Sequence, residues 1–124
     1  MQISVDFESG VPIYAQLVDR IKQMVAAGQL PAGQQLPTIR QLATDLRINF
    51  NTVARAYAIL DQERIISTQQ GRGTFIASRF SEEQIQRLRI DKLRSMLSRV
   101  CEEALALGYS WEEIETVCEE LRQA

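Results

Sequence analysis

Apolar residues recur every three or four positions in five stretches of the chain. Such spacing is the mark of amphipathic helices. The first stretch is VPIYAQLVDRIKQMVAAGQL. Tyr14, Leu17, Val18, Ile21, Met24 and Val25 share one face, and Asp19, Arg20, Lys22 and Gln23 take the other. Pro12 suits a first helical position and Gly28 suits the exit. PAGQQLP follows, and its Pro31, Gly33 and Pro37 predict a loop. Thr38 with Gln41 three residues on is a capping-box pattern. It opens a short second helix, TIRQLATDLRI, with Ile39, Leu42, Ala43 and Leu46 inward and Arg40, Gln41, Asp45 and Arg47 outward. Asn49 is a natural N-cap for a third helix, NFNTVARAYAILDQE. Val53, Ala56, Tyr57 and Leu60 face inward there. Phe50, Asn51, Thr52, Ala54 and Arg55 are left for the outside or the helix start.

The period then changes. RIISTQQGRGTFIA predicts a hairpin, with strands at Ile65–Thr68 and Thr74–Ala77 rich in β-branched and aromatic residues. The early QISVDF, residues 2–7, is a candidate third strand. After Ser78 helical spacing returns. Ser81 and Gln84 form a second capping-box pattern, and Gly108 ends the helix they open. Within it Ile90, Leu93, Leu97, Val100, Ala104 and Leu107 are spaced 3, 4, 3, 4, 3, a heptad-like seam. Ser110 and Glu113 open a last helix with Trp111, Ile114, Cys118 and Leu121 along one face. Two helices alone bury such stripes poorly, so the expectation is a two-helix dimerisation hairpin packed against a second copy. The chain divides into 1–78 and 79–124 on this reading. The fold class is mainly α with a small β wing.

Charge refines the picture. The net charge is −2, which does not announce a nucleic-acid binder. Its distribution is uneven. Residues 1–78 hold seven Lys/Arg and six Asp/Glu, whereas residues 79–124 hold seven and ten. The acidity sits in the C-terminal part, and the first part can still present a basic face. The chain has no histidine and two widely spaced cysteines. Neither a metal site nor acid–base catalysis is expected, and no cofactor is implied. The glycines of GRGTF lack the third glycine and the strand-then-helix setting of a nucleotide-binding loop. The opening residues lack the charged and apolar regions of a signal peptide, and no long apolar run exists. A cytoplasmic protein with no membrane partner is expected.

Three short helices followed by a hairpin predict a winged helix-turn-helix, in which the start of the third helix meets base edges in the major groove. That start carries Asn49, Phe50, Asn51, Thr52 and Arg55. Asparagine pairs with adenine and arginine with guanine. Helix starts at Thr38 and Asn49 favour phosphate. Arg40 and Arg72 are candidates for holding the DNA backbone. Gly71 and Gly73 keep the hairpin tip slim around Arg72. Phe50 either packs on a neighbouring helix or touches a thymine methyl; Arg47 serves phosphate or the surface.

The same residues resemble a known family. Leu36, Pro37, Thr38, Arg40, Leu42 and Ala43 fit L-P-[ST]-x-R-x-L-A. Asn49, Asn51, Thr52, Val53, Arg55, Ala56 and Tyr57 fit N-x-N-T-V-x-R-A-Y, and Gly71, Gly73, Thr74 and Phe75 fit the wing G-x-G-T-F. Over residues 11–77 the chain resembles the N-terminal domain of GntR-type bacterial transcriptional regulators. The rest is similar to the YtrA subfamily, whose members add only two helices. The resemblance implies a dimeric DNA-binding repressor, with Arg40, Arg55 and the Gly71–Arg72 tip at an operator, and a transporter operon as target class. The family usually has glycine where Arg64 stands, so Arg64 must adopt a left-handed conformation or change the exit from the third helix. A small-molecule effector has room in this reading and no identified site. Two alternatives are a winged-helix interaction module that does not read DNA and a general nucleoid protein. An enzyme is not expected, for want of any nucleophile–base cluster.

Overall fold

Five helices and a three-stranded antiparallel sheet account for the chain in a computed structural model, which describes residues 1–124. Helix α1 spans Ile13–Ala26. Pro12 caps it from outside, and its carbonyl accepts from the amides of Ala15 and Gln16. Beyond the helix, the amides of Gln29 and Leu30 return to the carbonyl of Met24. The expected loop over 31–37 contains a two-residue strand, β1 (Gln35–Leu36). Helices α2 (Ile39–Leu46) and α3 (Phe50–Gln62) follow, then β2 (Ile66–Gln69) and β3 (Gly73–Ile76).

Strand β3 lies between β1 and β2. Ile66 faces Ile76, Gln69 faces Gly73, and Gln35 faces Phe75. The hairpin strands sit one residue nearer the tip than the sequence pattern suggests. Ile65 is occupied in closing α3, its amide donating to the Leu60 carbonyl. Its own carbonyl takes the amide of Ala77.

The third strand is not QISVDF. Residues 2–7 form no strand, and β1 takes that place in the sheet. The alternation of Ile3 and Val5 does bring both against the core. The backbone is held by one side chain instead. Gln16 accepts from the Asp6 amide at 2.8 Å and donates to the carbonyls of Asp6 and Val11, each at 2.8 Å. The Asp6 carboxylate accepts from the Glu8 amide, bending the segment into a turn. The Asp6 amide and carbonyl are thus satisfied without a sheet partner.

The core joins α1, α2, α3 and the sheet. Leu17, Ile21, Leu30, Leu42, Val53, Leu60 and Ile76 are essentially inaccessible. Each such side chain contributes about 1.5–3 kcal/mol by leaving water. Ile39 and Leu46 are only partly buried. Lys22 on α1 meets Glu63 at the end of α3 at 3.0 Å.

Helix α4 spans Glu82–Ala106 and α5 spans Trp111–Gln123. The Ser81 hydroxyl accepts from the Gln84 amide while the Gln84 side chain accepts from the Ser81 amide, and Ser110 and Glu113 do the same. The chain forms two compact units, Met1–Leu88 and Arg89–Ala124. The first runs past the change in composition at Ser78 because Phe80 and Leu88 join the core. The second has almost no interior. Leu88 is the one buried residue of α4, and α5 has none.

Candidate nucleic-acid interface

The turn between α2 and α3 is set by three residues. The carbonyls of Ala43 and Thr44 accept the last turn's amides from Ile48 and Arg47. Arg47 itself stands in the left-handed region, at φ +57°. Asn49 is extended, and its side-chain oxygen accepts from the Asn51 amide at 2.7 Å. Helix α3 therefore starts at a fixed angle to α2, with Asn49, Phe50, Asn51 and Arg55 exposed and Thr52 half-buried. Phe50 is 47% exposed and is not among the residues packed on the core.

At the start of α2, Thr38 is committed to its capping box. Its hydroxyl accepts from the Gln41 amide at 3.0 Å and its amide donates to the Gln41 side chain at 2.9 Å. The helix is further anchored from α3, where the Tyr57 hydroxyl donates to the Pro37 carbonyl at 2.7 Å. Burial pushes the Tyr57 phenol well above the ordinary tyrosine value. Arg40 is exposed one residue into α2. The unpaired amides at this helix start give it a favourable field for an anion.

Arg55 is not a free side chain. Its guanidinium lies over the Tyr14 ring of α1, 3.7 Å from the centroid. The sequence pattern assigned Tyr14 only to the apolar stripe of the first helix.

The wing is β2, β3 and the tip between them. Arg72 is exposed at the tip, and its amide donates to the Gln69 carbonyl at 2.9 Å. Gly71 has φ +78° and Gly73 φ +123°, both unfavourable for other residues. A side chain at Gly73 would also collide with Gln35, whose amide nitrogen stands 2.7 Å from where a Cβ would be. That amide donates to the Arg72 carbonyl at 3.3 Å. Gln35, from β1, thus braces the tip, a role hidden inside what the sequence presented as a loop.

Arg64 takes the left-handed option, at φ +61°. It lies at the C-terminal end of α3. At about 1.5 Å per residue a helix of this length separates its two ends by about 20 Å. Arg40, Arg47, Arg64 and Arg72 form no ion pair within the chain, so their charge is uncompensated at close range. No cluster of His, Cys, Asp or Glu could hold a metal ion, and no helix is long and apolar enough to cross a membrane.

In the second unit the seam residues face solvent. Val100 is 61% exposed, Leu107 71%, Trp111 56% and Leu121 71%. Ile90, Leu93, Leu97 and Cys118 are exposed as well, while Ala104 and Ile114 are half-buried. Met96 and Val117 add to the exposed apolar surface, and the seam pattern had not included them. Ile90, Leu93, Leu97, Cys101 and Trp111 line an open groove of about 330 Å³ with Arg94 and Ser98. Both cysteines are free thiols.

Residues 13–76 match the family model for bacterial regulatory proteins of the gntR family. The chain belongs to that family. It is 43% identical over 75 residues to the HTH-type transcriptional repressor YtrA of Bacillus subtilis (strain 168), a match covering 60% of this chain and 58% of that protein. It thus spans less than two thirds of that relative's length. Its fold is similar along nearly its whole length to YtrA from Sulfolobus acidocaldarius, a GntR-family transcription factor. The TM-score is 0.60 at 35% identity, with 98% of this chain and 97% of that one covered. The DNA-binding domain of AraR, in complex with operator ORX1, covers 62% of this chain and 92% of its own at 27% identity and a TM-score of 0.52. The winged helix-turn-helix of this GntR-family chain is therefore one that it shares with transcriptional regulators.

Proposed function

We propose that this GntR-family protein is a transcriptional repressor that binds a two-fold symmetric operator as a homodimer. The observation that carries the reading is the start of α3, with Asn49, Asn51 and Arg55 exposed and Thr52 half-buried, in one compact unit with a wing tipped by Arg72. Asn51 is free to meet an adenine edge, and Arg40 and Arg72 to meet phosphate. Gly71 and Gly73 give the tip its narrow turn. Thr38 and Asn49 act chiefly as caps that aim these groups, since their side-chain oxygens are engaged. Residues 1–78 read DNA, and residues 79–124 form the dimerisation and regulatory region.

The dimer is supported by the state of the second unit. Exposed apolar seams on α4 and α5, with hardly a buried residue, are what a covering copy would relieve. The relevant residues are Ile90, Leu93, Leu97, Val100, Ala104 and Leu107 on α4, and Trp111, Ile114, Cys118 and Leu121 on α5. Two recognition helices would then read half-sites about one turn apart, and occupancy would block polymerase. A cytoplasmic protein controlling a transporter operon completes the reading, in keeping with the YtrA likeness.

The test is a fluorescence-anisotropy titration with the DNA upstream of the protein's own gene, beside scrambled DNA, at two salt concentrations. Operator reading requires a preference on the order of 10³ or more for the native fragment. Equal affinity that collapses with salt supports a nucleoid role instead. Binding to neither fragment, by a folded protein, supports an interaction module.

A further inference from the structure

We infer that Arg55 grips a DNA phosphate rather than reading a base, and that Tyr14 is the positioning residue that holds it there. The inference rests on the operator-binding reading above. It starts from the 3.7 Å stack of the Arg55 guanidinium on the Tyr14 ring. The five N–H donors of arginine lie in the guanidinium plane. Covering one face of that plane with a ring leaves every donor free, and fixes the direction in which they point.

Position then decides the target. Tyr14 belongs to the first turn of α1, which packs against α3. In this class of fold the N-terminal residues of the recognition helix meet base edges while a neighbouring helix crosses the sugar–phosphate backbone at the groove wall, and Arg55 stands more than a turn beyond that N-terminus. A guanidinium fastened to a ring of α1 is held on that wall, where the phosphates run, and away from the groove floor. Asn51, nearer the start of α3 and without such a tether, keeps the base-edge role. Arg55 could only reach a guanine edge by leaving the ring. The stack makes Arg55 a member of the backbone-gripping set, with Arg40 and Arg72.

The arrangement has a kinetic and energetic logic. A free arginine loses rotamer freedom when it binds, and one already stacked loses less. Tyr14 therefore acts on affinity without touching DNA. A plain staple between α1 and α3 would act on stability alone.

The experiment measures affinity for the fragment that the wild-type protein selects, and for scrambled DNA, between about 50 and 200 mM salt. The variants are Arg55→Ala, Arg55→Lys, Tyr14→Phe, Tyr14→Leu and the double variant Tyr14→Leu/Arg55→Ala. Arg55→Ala is expected to weaken both DNAs by the same factor, about tenfold per bound copy, and to lower the salt slope by about one per copy. Arg55→Lys keeps the slope. Tyr14→Phe keeps wild-type affinity because the ring remains. Tyr14→Leu loses about two- to tenfold, and adds no loss once Arg55 is alanine.

Three results overturn the inference. One is a loss in Arg55→Ala confined to the selected fragment, with an unchanged salt slope, which marks a base reader. Another is a Tyr14→Leu loss that simply multiplies that of Arg55→Ala, which marks a staple. The third needs no variant: the Arg55 side-chain N–H resonance, displaced by the Tyr14 ring current in the free protein, must stay displaced in the DNA complex. Its return to an ordinary position shows that Arg55 leaves the ring. Wild-type protein that prefers no fragment is a separate failure, that of the operator reading itself.

Discussion

Replacing Gly73 with alanine tests the wing most sharply. The backbone there has φ +123°, a conformation essentially reserved for glycine. Forcing an L-residue into it costs about 1–3 kcal/mol. The added methyl also meets the Gln35 amide nitrogen at 2.7 Å, closer than real Cβ contacts come. Gln35 can swing aside, but doing so breaks its 3.3 Å bond to the Arg72 carbonyl. A long, exposed bond of that kind is worth about 0.5 kcal/mol. Escape by backbone adjustment is limited, because β3 pairs on both sides, with Gly73 opposite Gln69. The expected cost is about 2–3 kcal/mol, which for a domain of this size lowers the melting temperature by on the order of 10–20 °C. Circular-dichroism melts of Gly73→Ala, Gln35→Ala and the double variant form the assay. Gln35→Ala alone should cost about 0.5 kcal/mol. In its background Gly73→Ala should cost about that much less than in wild type, since the clash is gone. A Gly73→Ala melt within about 0.5 kcal/mol of wild type, or strictly additive effects, would refute the account of how β1 braces the tip.

Three further outcomes follow from other parts of the molecule. Leu97→Asp with Val100→Asp places two charges in the exposed α4 seam and should yield a monomer in sedimentation; a variant that stays dimeric sinks the seam. Arg64→Gly removes the left-handed penalty of about 1–2 kcal/mol and adds about 0.5–1 kcal/mol of unfolded-chain entropy, so urea midpoints should rise by about 0.5–1 kcal/mol equivalent at unchanged slope. Tyr57→Phe loses the 2.7 Å bond to the Pro37 carbonyl and should cost about 1 kcal/mol at neutral pH. Because burial raises the Tyr57 phenol, the folded chain keeps a proton that the unfolded chain releases above its ordinary value of about 10. That stabilisation is complete below the ordinary value and is lost as pH climbs beyond it, and Tyr57→Phe should flatten this part of the alkaline unfolding curve.

Much of the fold was legible because it rests on local rules. The three capping boxes and the Asn49 cap depend on residues three or fewer positions apart, and each forms the bonds its spacing calls for. The buried faces of α1 and α3 follow from their apolar period. The third strand was misplaced for a reason of the same kind. Alternation at Ile3 and Val5 says which side chains turn inward, and both do. It does not say which partner bonds the backbone, and here the Asp6 end of the segment bonds to the Gln16 side chain while β1 takes the place beside β3. Conversely, β1 has two residues, too few for any period to register.

The side-chain partners of the candidate site were illegible for a different reason. Tyr14 and Arg55 are far apart in sequence and meet only because α1 crosses α3. Gln35 reaches Arg72 only because β1 pairs with β3. A periodic pattern assigns one face per residue, and Tyr14 serves two needs at once, its edge in the apolar stripe and its ring beneath a cation. The C-terminal seam shows the opposite case. Its spacing is as regular as that of α1, yet the single chain leaves it in water. Exposing that many large apolar side chains is costly, at about 25 cal/mol for each Å² that could be covered. A helix patterned for burial but given no interior within its own chain is best explained by an interior supplied from outside. That is the physical ground for a second copy, and it is independent of any contact with DNA.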